Sequence, residues 1–270
     1  MSRRRAGTFA DRYEPWALVA GASAGIGAAF ATALAERGLN LVLGARRPQP
    51  LADLAARLPV RTVPVPADLS TVDGLEAVAA ACAGAAGPDG PGLVVCNAAY
   101  APAGPFLELT EAHLTRALDT NCRAVLLLAH RYLPAMDARG RGGLIVMSSL
   151  AGAQGSPGLA SYAATKAFGA VLAEGLWAEL RPAGVDVLAC VAGAVTTPAY
   201  GQAMDHRAPG TVSPAEVVTA ALAALGRRPR TVPGALMRAS APVLARLLPR
   251  RTAIAVMGRA AARVTGPPPG

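Results

Sequence analysis

The chain has 270 residues, of which 53% are hydrophobic, enough for one domain with a large buried core. No uninterrupted apolar run reaches the roughly 18 residues of a membrane span, so a soluble protein is expected. The formal charge of +9 is localised: residues 1–226 hold 17 basic and 17 acidic side chains, whereas residues 227–270 hold nine arginines and no acid.

The basic start, Met1 to Arg5, leads into a stretch to Arg12 that lacks the apolar core of an export signal, and a cytoplasmic protein is the expectation. Residues 1–15 read as an arm, 16–226 as the principal domain and 227–270 as a basic, mostly helical extension. The four cysteines, Cys82, Cys96, Cys122 and Cys190, show no metal-like spacing and sit in apolar contexts, as buried reduced thiols do.

Trp16 to Ala20 reads as a buried strand that stops at Gly21, and the alanine-rich segment after Gly27 reads as a helix ending at Arg37, with Gly38 as its stop. Asn40 to Ala45 follows as a second strand, Pro50 to Leu58 as a short helix and Arg61 to Pro66 as a third strand. Ser70 or Thr71 can cap a helix over Val72 to Cys82, and Gly84 to Gly92 reads as a loop. Leu93 to Cys96 is wholly apolar, as a strand buried on both faces is. Thr110 to Pro134 contains a long helix with Leu114, Leu118, Val125 and Leu128 near helical intervals, then Gly143 to Ser148 a strand, Ser161 to Leu180 a helix and Asp186 to Val191 a strand. Ser213, Pro214 and Glu216 have the positions of cap, first-turn proline and capping-box acid. This alternation predicts an α/β fold, a doubly wound parallel sheet of Rossmann type with helices on both faces. Ligands of such sheets bind beyond the carboxyl ends of the strands.

Three features at those ends suggest chemistry. The turn Gly21, Ala22, Ser23, Ala24, Gly25, Ile26, Gly27 joins a strand to a helix: Gly21 and Gly25 permit a tight turn and close approach to a pyrophosphate, Gly27 permits close helix packing, and the helix start favours an anion. Tyr162 and Lys166, four residues apart, share one helix face, where an ammonium can stabilise the phenol's anion. Ser149 lies thirteen residues before Tyr162 at a strand end, where a hydroxyl can bond a substrate oxygen, and Ser148 competes for that role.

With this glycine spacing and the Ser, Tyr and Lys set, the chain resembles the classical short-chain dehydrogenase/reductase family over roughly residues 16 to 226. The resemblance implies catalytic roles for Ser149, Tyr162 and Lys166, with Asn121 holding a water in a proton relay to the lysine. It also implies cofactor contacts from Gly21, Ser23, Gly25, Ile26 and Gly27, from Asp68 and Leu69, from Asn97 and Ala98, from Tyr162 and Lys166, and from Val195 and Thr197. Three positions depart from the family pattern: Ala20 stands for a threonine, Ala99 for a glycine and Ala192 for a proline.

The second strand ends in Ala45, Arg46, Arg47 with no acid, which suits the 2′-phosphate of NADP(H) rather than the free ribose of NAD, with Arg46 the leading contact. The segments Tyr100 to Phe106, Leu150 to Leu159 and Ala199 to Pro209, mostly apolar, would border the nicotinamide and favour a lipid-like or 3-oxoacyl ketone. These features predict an NADPH-dependent carbonyl reductase, reversible as an alcohol dehydrogenase, that assembles as a homo-oligomer, a dimer or tetramer; a non-catalytic NADP sensor or scaffold is the alternative. In the tail, Val243, Leu244, Leu247 and Leu248, then Ile254, Met257, Ala261 and Val264, recur at near-helical spacing among arginines. The tail either packs over the cleft or another subunit, rests on an anionic membrane surface, or extends into solvent. No nucleic-acid recognition motif is present.

Overall fold

The computed structural model describes residues 8–13, 15–197, 210–242 and 247–265. Seven strands form one sheet in the order β3-β2-β1-β4-β5-β6-β7, all parallel: β1 (Trp16–Ala20), β2 (Asn40–Ala45), β3 (Thr62–Pro66), β4 (Leu93–Cys96), β5 (Gly142–Ser149), β6 (Val185–Ala192) and β7 (Arg230–Thr231). Strands β1, β4 and β6 are buried along their whole length, because helices cover both faces of the sheet.

Helices α1 (Phe9–Tyr13), α2 (Gly25–Ala35) and α3 (Pro48–Arg57) join the core on one face with the helix Pro214–Ala224, placing Tyr13, Phe30, Leu34, Leu51 and Val217 there. On the other face α4 (Val72–Ala86), α6 (Ala124–Arg139) and α7 (Ala160–Leu180) bring Val78, Leu128, Tyr132 and Ala173 against the sheet. Strand order reverses between β1 and β4, which lie side by side with chain growing away in opposite directions, so the carboxyl ends of these two strands open the crevice in which such sheets bind ligands.

Several boundaries differ from the sequence expectations. Helix α4 runs through Gly84 to Ala86 and stops at Gly87, whose φ of 82° ends it; an interior glycine costs only about 1 kcal/mol against alanine, and Ala85 and Ala86 in the last turn pack partly against the core. The helix expected over Thr110 to Pro134 is α5 (Glu111–Leu118), a π turn over Asp119–Arg123, and α6. Strand β7 and α1 are too short to show a period, and α1 lies in the expected arm. The expected capping box is present: the Ser213 hydroxyl accepts from the Glu216 amide, and the Ser213 amide donates to the Glu216 carboxylate at 2.7 Å. The segment 199–209, and Val243 and Leu244, lie outside the described residues.

Candidate active site

At the crevice, Gly21 leaves β1 with φ 94°, a left-handed conformation that glycine adopts freely. A Cβ at Gly21 would lie 2.5 Å from the Ala98 amide nitrogen, and one at Gly27 would overlap the Gly21 carbonyl oxygen. The turn is therefore folded back on the start of α2 and on the end of β4, and Asn97 locks it by donating Nδ2–H to the Gly21 carbonyl at 2.8 Å. The N-cap of α2 is Ala24, with no side chain bonded to the first-turn amides, so those N–H groups and the helix dipole face the crevice.

A cleft of about 580 Å³ extends from this turn; Gly21, Ser23, Gly25, Ile26, Arg46, Asp68, Leu69, Asn97, Ala98 and Thr197 line it, as the sequence reading grouped them. Gly27 and Val195 do not line it: Gly27 is packed behind Gly21, and Val195 is buried in a short parallel bridge with Val212. Arg46 and Arg47 are exposed at the rim, and Arg47 Nη2 donates to Ser23 Oγ at 3.4 Å, which ties the arginine pair to the glycine turn. Asp68 is a fixed acceptor. Burial alone would raise its pKa, yet hydrogen bonds from the Ser70 amide and hydroxyl and the charges of Arg116 and Arg46 hold it below the ordinary carboxylate value.

The groups expected to carry chemistry form a second cluster, and Ser149, Tyr162 and Lys166 are not among the residues lining the cleft. The two sets are joined through Tyr100, which lines the cleft and whose backbone is bonded in both directions by Asn121: Tyr100 N–H donates to Oδ1 at 2.8 Å, and Nδ2 donates to the Tyr100 carbonyl at 2.7 Å. Asn121 Nδ2 also donates to Thr165 Oγ1 at 2.9 Å, one residue from Lys166. The π turn, a feature frequent at functional sites, is what holds Asn121 between these partners.

Strand β5 separates the two candidate serines. Ser148 is buried and donates to the Lys166 carbonyl at 2.8 Å, which is a packing role, whereas Ser149 is half-buried, and its hydroxyl accepts from the Ala151 amide at 3.2 Å. Burial raises the Tyr162 pKa, and the Ser149 hydroxyl opposes that rise by bonding the phenolate. Lys166 is buried and donates to the Met147 carbonyl at 2.9 Å, with Nζ 5.7 Å from the centre of the Tyr162 ring. Desolvation lowers its pKa to about 8, against an opposing influence of the Cys122 and Cys96 thiols. A phenol, a nearby hydroxyl and an ammonium beside the phenol ring can together donate and recover a proton. Thr165, Arg116 and the Met147 carbonyl belong to the site without having been singled out by sequence, and Tyr100 was named only as the start of a bordering segment; Thr165 stands inside the Tyr162 to Lys166 interval, and only its spacing of one helical turn from Tyr162 pointed to it.

The short-chain dehydrogenase family model matches residues 15–208. The chain belongs to the short-chain dehydrogenase family. It is 32% identical over 196 residues to a 7beta-hydroxysteroid dehydrogenase of Clostridium sardiniense, covering 71% of this chain and 74% of that one. Among solved structures it is similar to one described for 7beta-hydroxysteroid dehydrogenase stereoselectivity, with TM-score 0.85, 26% identity and coverage of 93% and 99% of the two chains. It is also similar to a short-chain dehydrogenase from Sphingobium yanoikuyae in complex with NADPH, with TM-score 0.73, 35% identity and coverage of 82% and 87%. Members of this family are oxidoreductases that bind a nicotinamide cofactor, and the uncapped helix start, the glycine cradle and the Asp68 acceptor fit such a group.

Proposed function

We propose that this short-chain dehydrogenase is an NADPH-dependent carbonyl reductase, reversible as an alcohol dehydrogenase, acting on an apolar ketone. The observation that carries the reading is the grouping of Tyr162 with Lys166, whose Nζ lies 5.7 Å from the centre of the phenol ring, beside a Ser149 hydroxyl that lowers the phenol's pKa. Bound NADPH would supply a hydride to the carbonyl carbon. Tyr162 Oη–H then gives its proton to the carbonyl oxygen, Ser149 Oγ–H orients that oxygen, and Lys166 stabilises the tyrosinate that is left. Lys166 would also bind the nicotinamide ribose, and Asn121 would hold a water that resupplies its proton. Asn121 positions the Tyr100 loop at the same time, through its backbone bonds.

In this reading Gly21, Ser23, Gly25 and Ile26 would hold the pyrophosphate, with Gly27 contributing by letting α2 pack behind Gly21; Asp68 and Leu69 would hold the adenine, Asn97 and Ala98 the adjoining ribose and Thr197 a phosphate oxygen, and Val195, buried off the cleft, could reach the carboxamide only through its backbone. Arg46 takes the 2′-phosphate, with Arg47 behind it on Ser23. The NADPH complex of the Sphingobium yanoikuyae relative supports the cofactor, and the steroid-named relatives support an apolar substrate. The tail is read as a cover of the site: Ala253 is buried, Ile254 packs beside Gly155 and Arg250 Nη1 donates to the Ala153 carbonyl at 3.2 Å. Leu247, 74% exposed beside the exposed Arg250 and Arg251, favours a further, peripheral contact with an anionic membrane. Leu126 and Leu127 of α6 and Val171 of α7 are exposed, and through this face we place a homo-oligomer, a dimer or tetramer. Among the described residues no helix is long and apolar enough to cross a membrane, and four unpaired cysteines suit the cytoplasm.

The test is NADPH oxidation across a panel of cyclic, acyl and steroid-like ketones. Turnover is expected, and Tyr162→Phe is expected to lower it by at least about 100-fold while leaving cofactor affinity within about twofold. Cofactor binding without turnover of any carbonyl would instead support the sensor or scaffold reading.

A further inference from the structure

The β5 and β6 strand ends lie side by side, Ser149 opposite Ala192, so the next residues, Leu150 and Gly193, face one another across the edge of the carbonyl site. One side chain from the tail enters this position. A Cβ at Gly193 would lie 3.1 Å from both Cγ and Sδ of Met237 and 3.3 Å from Leu150 Cδ1. Met237 belongs to the helix Ala235–Pro242, more than forty residues after Gly193. The end of the same thioether reaches Gly210, whose Cβ would lie 2.6 Å from Met237 Cε.

Gly193 and Gly210 belong to the two segments bridged at Val195 and Val212, in which the Thr196 amide donates to the Val212 carbonyl at 2.9 Å and the Val212 amide to the Ala194 carbonyl at 3.1 Å. The Met237 side chain therefore rests on bare glycine backbone at two points, and any side chain at either would displace it. It converges over Gly193 with Leu150, the residue next to Ser149. A flexible thioether in such a place fills irregular space and yields to the shape of what it touches.

We infer that Met237 is a specificity-determining residue: together with Leu150 it forms the apolar wall against the substituent on one side of the substrate carbonyl, and its length sets how bulky that substituent can be. The inference rests on the carbonyl reductase reading and names the residue that selects within it. It also assigns the tail helix Ala235–Pro242 a part in choosing substrate.

The experiment takes the smallest and the bulkiest cyclic ketone that the wild-type protein reduces with NADPH, and follows the ratio of their kcat/KM values. In Met237→Ala the ratio is expected to move at least tenfold in favour of the bulky ketone, chiefly through its KM, and in Met237→Phe at least tenfold against it. Met237→Leu, close in volume, is expected to keep the ratio within threefold. A purely structural residue would lower both ketones together and shift the melting temperature without moving the ratio. Ratios within twofold of wild type in the Ala and Phe variants would overturn the inference while leaving the reductase reading intact. Should Met237→Ala fail to fold, the Phe and Leu variants decide alone by the same criterion. Wild-type protein that reduces no ketone would overturn both.

Discussion

Arg46 and Arg47 stand at the rim where an acid would favour NAD, and no carboxylate at the end of β2 neutralises them. Both are exposed, so their pull on a dianionic phosphate is that of solvated charges, reinforced by the planar fork of the guanidinium. Arg46→Ala is expected to weaken NADP binding about tenfold or more and to leave NAD within about twofold, measured by fluorescence titration with each cofactor. Equal affinities that the substitution leaves unchanged would remove the assignment to NADP. At this scale the sequence is most legible where backbone chemistry dictates the residue: Gly21 and Gly27 can carry no side chain, because one would strike Ala98 and the other the Gly21 carbonyl. The choice between Ser148 and Ser149 rested on the family pattern; in the structure Ser148 turns inward to the Lys166 carbonyl. What spacing does not reveal is partnership at a distance. Asn121 meets Tyr100 and Thr165, residues 21 and 44 positions away, through a turn that no local pattern announces.

Between elements, the clearest divergence from periodicity has a geometric cause. Leu118 and Val125 are seven residues apart, two turns of a regular helix, which would bury both. The π turn at Asp119–Arg123 adds residue length between them, so Leu118 is 58% exposed whereas Val125 is 5% exposed. A second link between elements lies at the opposite end of the sheet from the site, where α1 is pinned by one carboxylate. Asp186, buried near the start of β6, accepts from Tyr13 Oη at 2.5 Å, from Arg12 Nη2 at 2.7 Å and from Arg12 Nε. Helix α1 has five residues, too few to hold itself together in water, so these bonds and the burial of Tyr13 are what keep it folded. Asp186→Ala is expected to destabilise the protein by about 2 kcal/mol or more and to raise amide exchange in α1 before other elements, because the Tyr13 hydroxyl loses its acceptor inside the core. Asp186→Asn keeps an acceptor for Tyr13 and is expected to cost less. Urea unfolding and hydrogen exchange measure both, and an unchanged midpoint in Asp186→Ala would show that α1 is held by its apolar contacts alone.

For the whole molecule, the sheet buried on both faces determines how stability responds to pH. Burial pushes the Cys82 thiol up to about 11 and the Cys96 and Cys190 thiols up to about 12, while it brings Lys166 down to about 8. Unfolded thiols ionise near pH 8.5 and an unfolded lysine near 10.4. Below about pH 7 all four groups are protonated in both states and contribute no slope, and near pH 7.5 the first thiol protons lost by the unfolded chain are offset by those lost from folded Lys166. Between pH 9 and 10 the unfolded chain has released three thiol protons that the folded chain still holds, which lowers stability as pH rises. Lys166 acts oppositely, since the folded chain has given up its proton and the unfolded chain has not. Three against one leaves a net difference of about two protons, and the Cys122 thiol and, toward pH 10, the Tyr13 and Tyr132 phenols, all raised by burial, add to the same side, so the loss is at least on the order of 2–3 kcal/mol per pH unit in that window. Denaturant unfolding at pH 7.5, 9 and 10 is expected to show a level region followed by this fall. Cys190→Ala should make the fall shallower by about one proton, and Lys166→Met should make it steeper by about one, because it removes the only opposing group of the four. Stability that rises from pH 8 to 10 would mean that the lysine outweighs the thiols, and that the strands carrying Cys96 and Cys190 are less tightly covered than the burial of β4 and β6 implies.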